Sequence, residues 1–208
     1  MMSLNAFDLL LLVFLLIGVM YGALRGAGRQ LMGIISAWLG LIVCLWLYIP
    51  FSRRILMGLF KNAEPSVART AIFDTFAFIM LLIIFAGLIQ FIIIQTTKSP
   101  EERTDGSGKS FAEKANDNTT INVGKTLGGI VMGFIITTIW LSVFIAPIRF
   151  AIFNVESTNG FVLGLRGAMN TSGLLPYLAS VLRLIYVSIQ LFIPPTGLPA
   201  VFSGFLNL

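Results

Sequence analysis

Apolar residues run almost unbroken from Asn5 to Leu24 and again from Leu31 to Tyr48. Between them lies a short joint, Arg25-Gly26-Ala27-Gly28-Arg29-Gln30. A helix crossing a bilayer core needs roughly 20 apolar residues at about 1.5 Å each. The joint is too short to be a domain, so the pair reads as a hairpin that crosses a membrane and turns back. Two further runs follow, Ala71–Gln95 and Val123–Pro147. The pattern therefore predicts four spans, about residues 5–24, 31–48, 71–95 and 123–147, ordered as two hairpins. Pro50 is expected to close the second span, and Pro147 with Arg149 the fourth.

The remaining segments are polar or mixed. Residues 50–69 form a connecting loop with Arg53, Arg54, Lys61 and Arg69. Residues 96–122 are polar, of mixed charge and poor in apolar side chains, which predicts a mobile loop. Gly108-Lys109-Ser110 within it looks like the end of a phosphate-binding loop, but Arg103 stands where the motif needs its first glycine and no strand precedes it. The tail, residues 150–208, holds one more apolar segment at about 174–193. There Ser180, Arg183 and Gln190 share one helical face. An arginine at the centre of a span costs about 2.5–3.5 kcal/mol on insertion scales. An amphipathic helix lying at the interface avoids that cost, and is favoured over a fifth span. The fold class is then an all-α integral membrane protein: four transmembrane helices plus a C-terminal interfacial helix.

Composition agrees. The chain is 57% hydrophobic and 11% charged, against about 45–50% and about 25% in a soluble domain. Its net charge of +5 is a topology and lipid-headgroup signal rather than a mark of nucleic-acid binding. Arg25, Arg29 and Lys125 share one membrane face, where they would set orientation and meet anionic lipid. The count of short-loop cations tilts that face to the cytoplasm and both termini outside. The first run lacks a basic leader and a clear cleavage site, and reads as a retained span. The chain has no histidine and one cysteine, Cys44, inside the second run. That excludes histidine-based acid–base, nucleophile and metal chemistry, an intrachain disulfide and a thiolate metal cage. No cofactor or metal is expected, and no enzyme activity.

Two features carry the finer reading. Small residues recur at helical spacing: Gly18, Gly22 and Gly26 in the first span; Gly33, Ser36, Ala37 and Gly40 in the second; the pairs Gly124/Gly128 and Gly129/Gly133 in the fourth. Such stripes let helix backbones approach closely. Second, Phe7-Asp8 opens the first span as Phe73-Asp74 opens the third, and Gly-basic starts open the second and fourth. This leaves open a parallel repeat or four ordinary spans with similar ends. Asp8, Asp74 and Arg149 fall on one face. Either the aspartates cap helix N-termini, or the three form a polar cluster that binds a partner or guides an ion.

These residues resemble the colicin V production protein family of small bacterial inner-membrane proteins. The likeness rests on Phe7-Asp8 with the Arg25-Gly26-Ala27-Gly28-Arg29 turn, on Lys125-Thr126-Leu127-Gly128-Gly129 with Gly133, and on Ser172-Gly173-Leu174-Leu175-Pro176. The polar loop is long for the family, and Phe134-Ile135-Ile136 stand where an Arg-Gly is often found. The resemblance implies a role in production or export of a peptide toxin and in envelope maintenance, with no catalytic residues. Lipids, other membrane proteins or a second copy are the expected partners. The competing readings are an accessory subunit of a larger membrane complex, such as a bioenergetic one, and a small transporter or channel.

Overall fold

Apolar runs this long have one stable form in lipid, a helix whose backbone bonds are all internal. The computed structural model describes residues 4–25, 27–59, 66–97, 123–155, 159–193, 201–202 and 205. Helix α1 spans Ala6–Arg25 and α2 Ala27–Phe51, followed by a π-helical turn Ser52–Leu56 and a short α3, Met57–Leu59. Then come α4 Val67–Thr97, α5 Val123–Asn154, α6 Gly160–Asn170, α7 Leu175–Ile189 and a 3-10 turn Gln190–Phe192. The described residues contain no strand. Five of their helices are long and apolar enough to cross a membrane: α1, α2, α4, α5 and α7. The protein is an all-α membrane protein.

The two hairpins interlock. Helix α1 packs mainly on α5, and α4 mainly on α2, while α1 and α2 scarcely touch beyond their joint. The first helix of each hairpin thus lies against the second helix of the other. Glycine decides the α1–α5 pairing. A Cβ on Gly22 would lie 2.5 Å from the Gly129 carbonyl oxygen and 2.6 Å from Gly133 Cα; one on Gly129 would lie 2.5 Å from the Gly22 carbonyl oxygen. These helices meet backbone to backbone, which only glycine permits. A Cβ on Gly18 would run into Thr137 of the same seam. In the α2–α4 pair, a Cβ on Gly40 would lie 2.9 Å from Ala86 Cα. Gly33 faces only the flexible tip of Ile136, and Gly128 is half-buried. Gly26 lies outside the described residues, as do residues 98–122 and the side chains of Arg25, Arg29 and Lys125.

Neither proline stops its helix. α5 runs through Pro147 to Asn154. Neighbouring helices support such interruptions in a membrane; Thr75 of α4 donates to the Pro147 carbonyl at 3.0 Å. α2 passes Pro50 and widens into the π-helical turn, where the Met57 N–H donates to the Ser52 carbonyl. Missing donors and π-bulges are common causes of local helix distortion.

The core is built from α2 (Leu41, Cys44, Leu45, Tyr48), α4 (Ala77, Phe78, Leu81, Leu82) and α5 (Val143, Ile145, Ala146). The tail completes it. α7 buries Leu175, Leu178, Ala179, Leu182 and Ile189, and Val201, Phe202 and Phe205 are buried too. Phe78 meets Tyr48 and Phe202 edge-on at 5.8 and 5.1 Å. So α7 packs on the bundle core, and it is one of the five described helices long and apolar enough to cross a membrane. Ser180 returns its hydroxyl to its own helix at the Pro176 carbonyl, and the outer face that carries Arg183 also exposes Tyr177, Leu184 and Val187.

Candidate functional site

The start of α1 is capped reciprocally. Asn5 Oδ1 accepts from the Asp8 N–H at 2.9 Å, and Asp8 Oδ2 accepts from the Asn5 N–H at 3.1 Å. This is the geometry of a capping box, with both residues three apart. The Asp8 carboxylate then does a second job. It accepts from the Ser172 hydroxyl, from the Gly173 N–H at 3.1 Å and from the Leu174 N–H at 3.1 Å. Ser172 Oγ in turn accepts from the Leu175 N–H at 3.2 Å. The turn that opens α7 is therefore capped by a side chain from the other end of the chain. Asn5 ties α6 to the same place, donating to the Ala168 carbonyl at 2.6 Å and the Thr171 hydroxyl at 3.0 Å. Asp8 is fully buried, so these donors are what make a carboxylate tolerable there.

Asp74 has a different set. Its Oδ1 accepts from the Ser52 hydroxyl at 2.5 Å, and its Oδ2 pairs with Arg53 at 3.2 Å. The π-helical turn presents both partners to the first turns of α4. Ser52 is fully buried, whereas the Arg53 side chain is half exposed. Each aspartate thus has its own serine. The structure places the two on separate partners and sets Arg149 over the Phe153 ring at 4.7 Å. Arg166 comes to the same ring at 6.0 Å and donates to the carbonyls of Ile152 and Val155, which close α5. Sequence reasoning singled out neither Arg53 nor Arg166. Ser172 was in view only as part of a motif.

At the opposite end of the bundle, Gln30 is buried beside the glycine crossing. Its amide donates to the Gly129 carbonyl at 3.1 Å, joining α2 to the α1–α5 seam. The three motifs thus meet in space around α1. Its first turn holds the Ser172 element, and its glycines hold the start of α5.

Residues 7–107 match the family model described as colicin V production protein. Over those residues the chain is similar to the colicin V production protein family. No curated protein and no solved structure matches the chain. The match covers α1, α2 and α4 and ends before α5. Asp8 and Asp74 lie within it, and Ser172 beyond it. The hydrogen bonds at Asp8 therefore join the matched segment to the tail.

Ser172→Ala should destabilise the protein by about 2 kcal/mol, because the lost bond is to a buried charged group. Ser180→Ala, at an exposed site, should stay within about 0.5 kcal/mol. Thermal unfolding in mild detergent, followed by tryptophan fluorescence, checks the order. Equal shifts would mean that the serine hydroxyl adds nothing to the Asp8 nest.

Proposed function

We propose that this colicin V production-type protein is a non-enzymatic protein of the bacterial inner membrane that assists production or export of a peptide toxin and helps maintain the envelope. The observation that carries this reading is the family match over residues 7–107. The interior chemistry supports it. Asp8, Asp74, Ser52, Ser172 and Thr75 all bond helix ends or neighbouring helices. In both serine–aspartate pairs the hydroxyl donates to a carboxylate that joins separate elements of the bundle. The outer face of α1 exposes Leu9, Leu10, Val13, Phe14 and Ile17. In a membrane that surface meets lipid or another membrane protein. Its partners are then lipids, through Arg25, Arg29 and Lys125 among others, and membrane proteins or a second copy of the chain.

The test is a deletion strain carrying a secreted peptide toxin. Loss of the chain should lower toxin released into the medium and raise sensitivity to envelope stress, with both restored by the wild-type gene. Unaltered release and unaltered stress sensitivity would remove this reading. Stoichiometric recovery of the chain with a respiratory complex in native nanodiscs would replace it.

A further inference from the structure

The midpoints of three helices meet inside the bundle. Trp38 lies near the middle of α2, Leu82 of α4 and Trp140 of α5. All three line one cleft of about 40 Å³, and Ile185 of α7 closes its fourth side. Helices of this length cross the whole hydrocarbon core, so their midpoints stand near the plane where the two leaflets meet.

The cleft has a floor and a rim. Ala37, Leu82 and Val143 are buried at its base, whereas Trp38, Trp140 and Ile185 are half-buried around its opening. Both indoles are held. Trp38 Nε1 donates to the Ser188 hydroxyl at 3.0 Å, and the ring meets Phe192 edge-on at 5.4 Å. Trp140 stacks on Phe144 at 5.3 Å. Helix α7, which carries Ile185 and Ser188, is itself fixed by five residues buried in the core. The walls are thus pinned and do not collapse into the space between them.

Depth and chemistry decide what fills that space. Its volume exceeds the about 10–15 Å³ at which a void first holds a water molecule, but a water needs about two to four polar partners. The lining is almost wholly apolar. Left empty, the cleft forfeits dispersion contacts for every side chain that faces it. Outside the rim, at this depth, lie the distal parts of acyl chains. A flexible linear chain suits so small an opening.

We propose that the cleft is a lipid site, holding the tail of one bilayer acyl chain inserted sideways between the two indoles and beneath Ile185. The chain completes the packing at the centre of the bundle. This site does not depend on the toxin reading.

Quenching of tryptophan fluorescence tests it, in nanodiscs of a phosphatidylcholine brominated in the distal half of its acyl chains, one protein copy per disc. Bromine quenches an indole only on contact. The Trp46→Phe protein keeps two tryptophans, Trp38 and Trp140, both on the rim. Its emission should be strongly quenched. Adding Ala37→Leu fills the floor, and quenching should be roughly halved, because each ring then meets lipid on its outer side alone. Unchanged quenching in the filled variant overturns the site. Should that variant not fold, Leu82→Ala takes its place: it deepens the floor, so a rise in quenching upholds the site and no rise overturns it. Quenching that disappears when each disc holds two copies gives the cleft to the second copy instead of lipid, and also overturns it.

Discussion

Gly129→Ala should unfold this protein under conditions that leave Ala37→Ser intact. The added Cβ would stand 2.5 Å from the Gly22 carbonyl oxygen, a backbone atom that has no rotamer by which to yield. The two helices must separate, and with them go the facing contact at Gly133 and the bond from Gln30 to the Gly129 carbonyl. Overpacking in a close-packed interior costs about 1–3 kcal/mol and occasionally more. A rigid obstacle on both sides places this site at the upper end, about 3 kcal/mol. Gly22→Ile should be at least as damaging, since it meets Gly129, Gly133 and the Gln30 amide together. Ala37 is buried in α2, but a serine hydroxyl can bond its own helix as Ser36 does at the Gly33 carbonyl. That change should cost less than about 1 kcal/mol. Resistance to denaturant in mild detergent ranks the three. Equal resistance would show the crossing to be looser than its geometry. Gly87→Ala, where an added Cβ meets nothing within 4 Å, is the matched control.

Why the glycine stripes were readable but their pairing was not follows from what a stripe contains. Gly18, Gly22, Gly129 and Gly133 stand at helical spacing, and spacing alone marks a face for close approach. It does not say which stripe meets which, because all are chemically alike. Span positions were readable for a related reason: long apolar runs admit little but helix in lipid. The prolines misled. Pro50 and Pro147 read as stops, yet the chain stays helical through both, as prolines in membrane helices can. Reading Pro50 as a stop put Ser52 and Arg53 in a loop and hid the partners of Asp74. A π-helical turn has no periodicity signature in the sequence. Phe202 and Phe205 were also missed; they lie among Pro, Gly and Ser residues without a helical pattern, and only the assembled bundle shows the space they fill. Asp8 was visible as a helix-start aspartate, and its capping geometry with Asn5 is local. Its bond to Ser172 is not local, and the aspartate alone does not reveal it.

Asp74→Ala should destabilise more than Arg53→Gln, and the reason is which partner each change leaves behind. Without the carboxylate, the Ser52 hydroxyl stays fully buried with its acceptor gone. An orphaned buried donor costs about 1–3 kcal/mol, more than the net value of the bond itself. Arg53, by contrast, is half exposed. Released from Asp74, it can reach the headgroup layer along its own stem. Removing Arg53 leaves the buried Asp74 with the Ser52 hydroxyl still donated, and because the arginine is half exposed the pair's worth stays low, about 1 kcal/mol or less. Asp74→Asn should sit close to Arg53→Gln, because a carboxamide oxygen still accepts from Ser52. The decisive variant is Asp74→Ala combined with Ser52→Ala. Taking away donor and acceptor together leaves no buried orphan, so the double change should recover most of the stability lost by Asp74→Ala alone. Denaturation in detergent reads the stability, and toxin release from the complemented deletion strain reads the function. If Asp74 serves only to join α4 to the turn after α2, release should recover with stability in the double variant. If its charge is used by a partner, release should stay low in a protein that folds well. A double variant no more stable than Asp74→Ala would contradict the account of Ser52 as its buried donor.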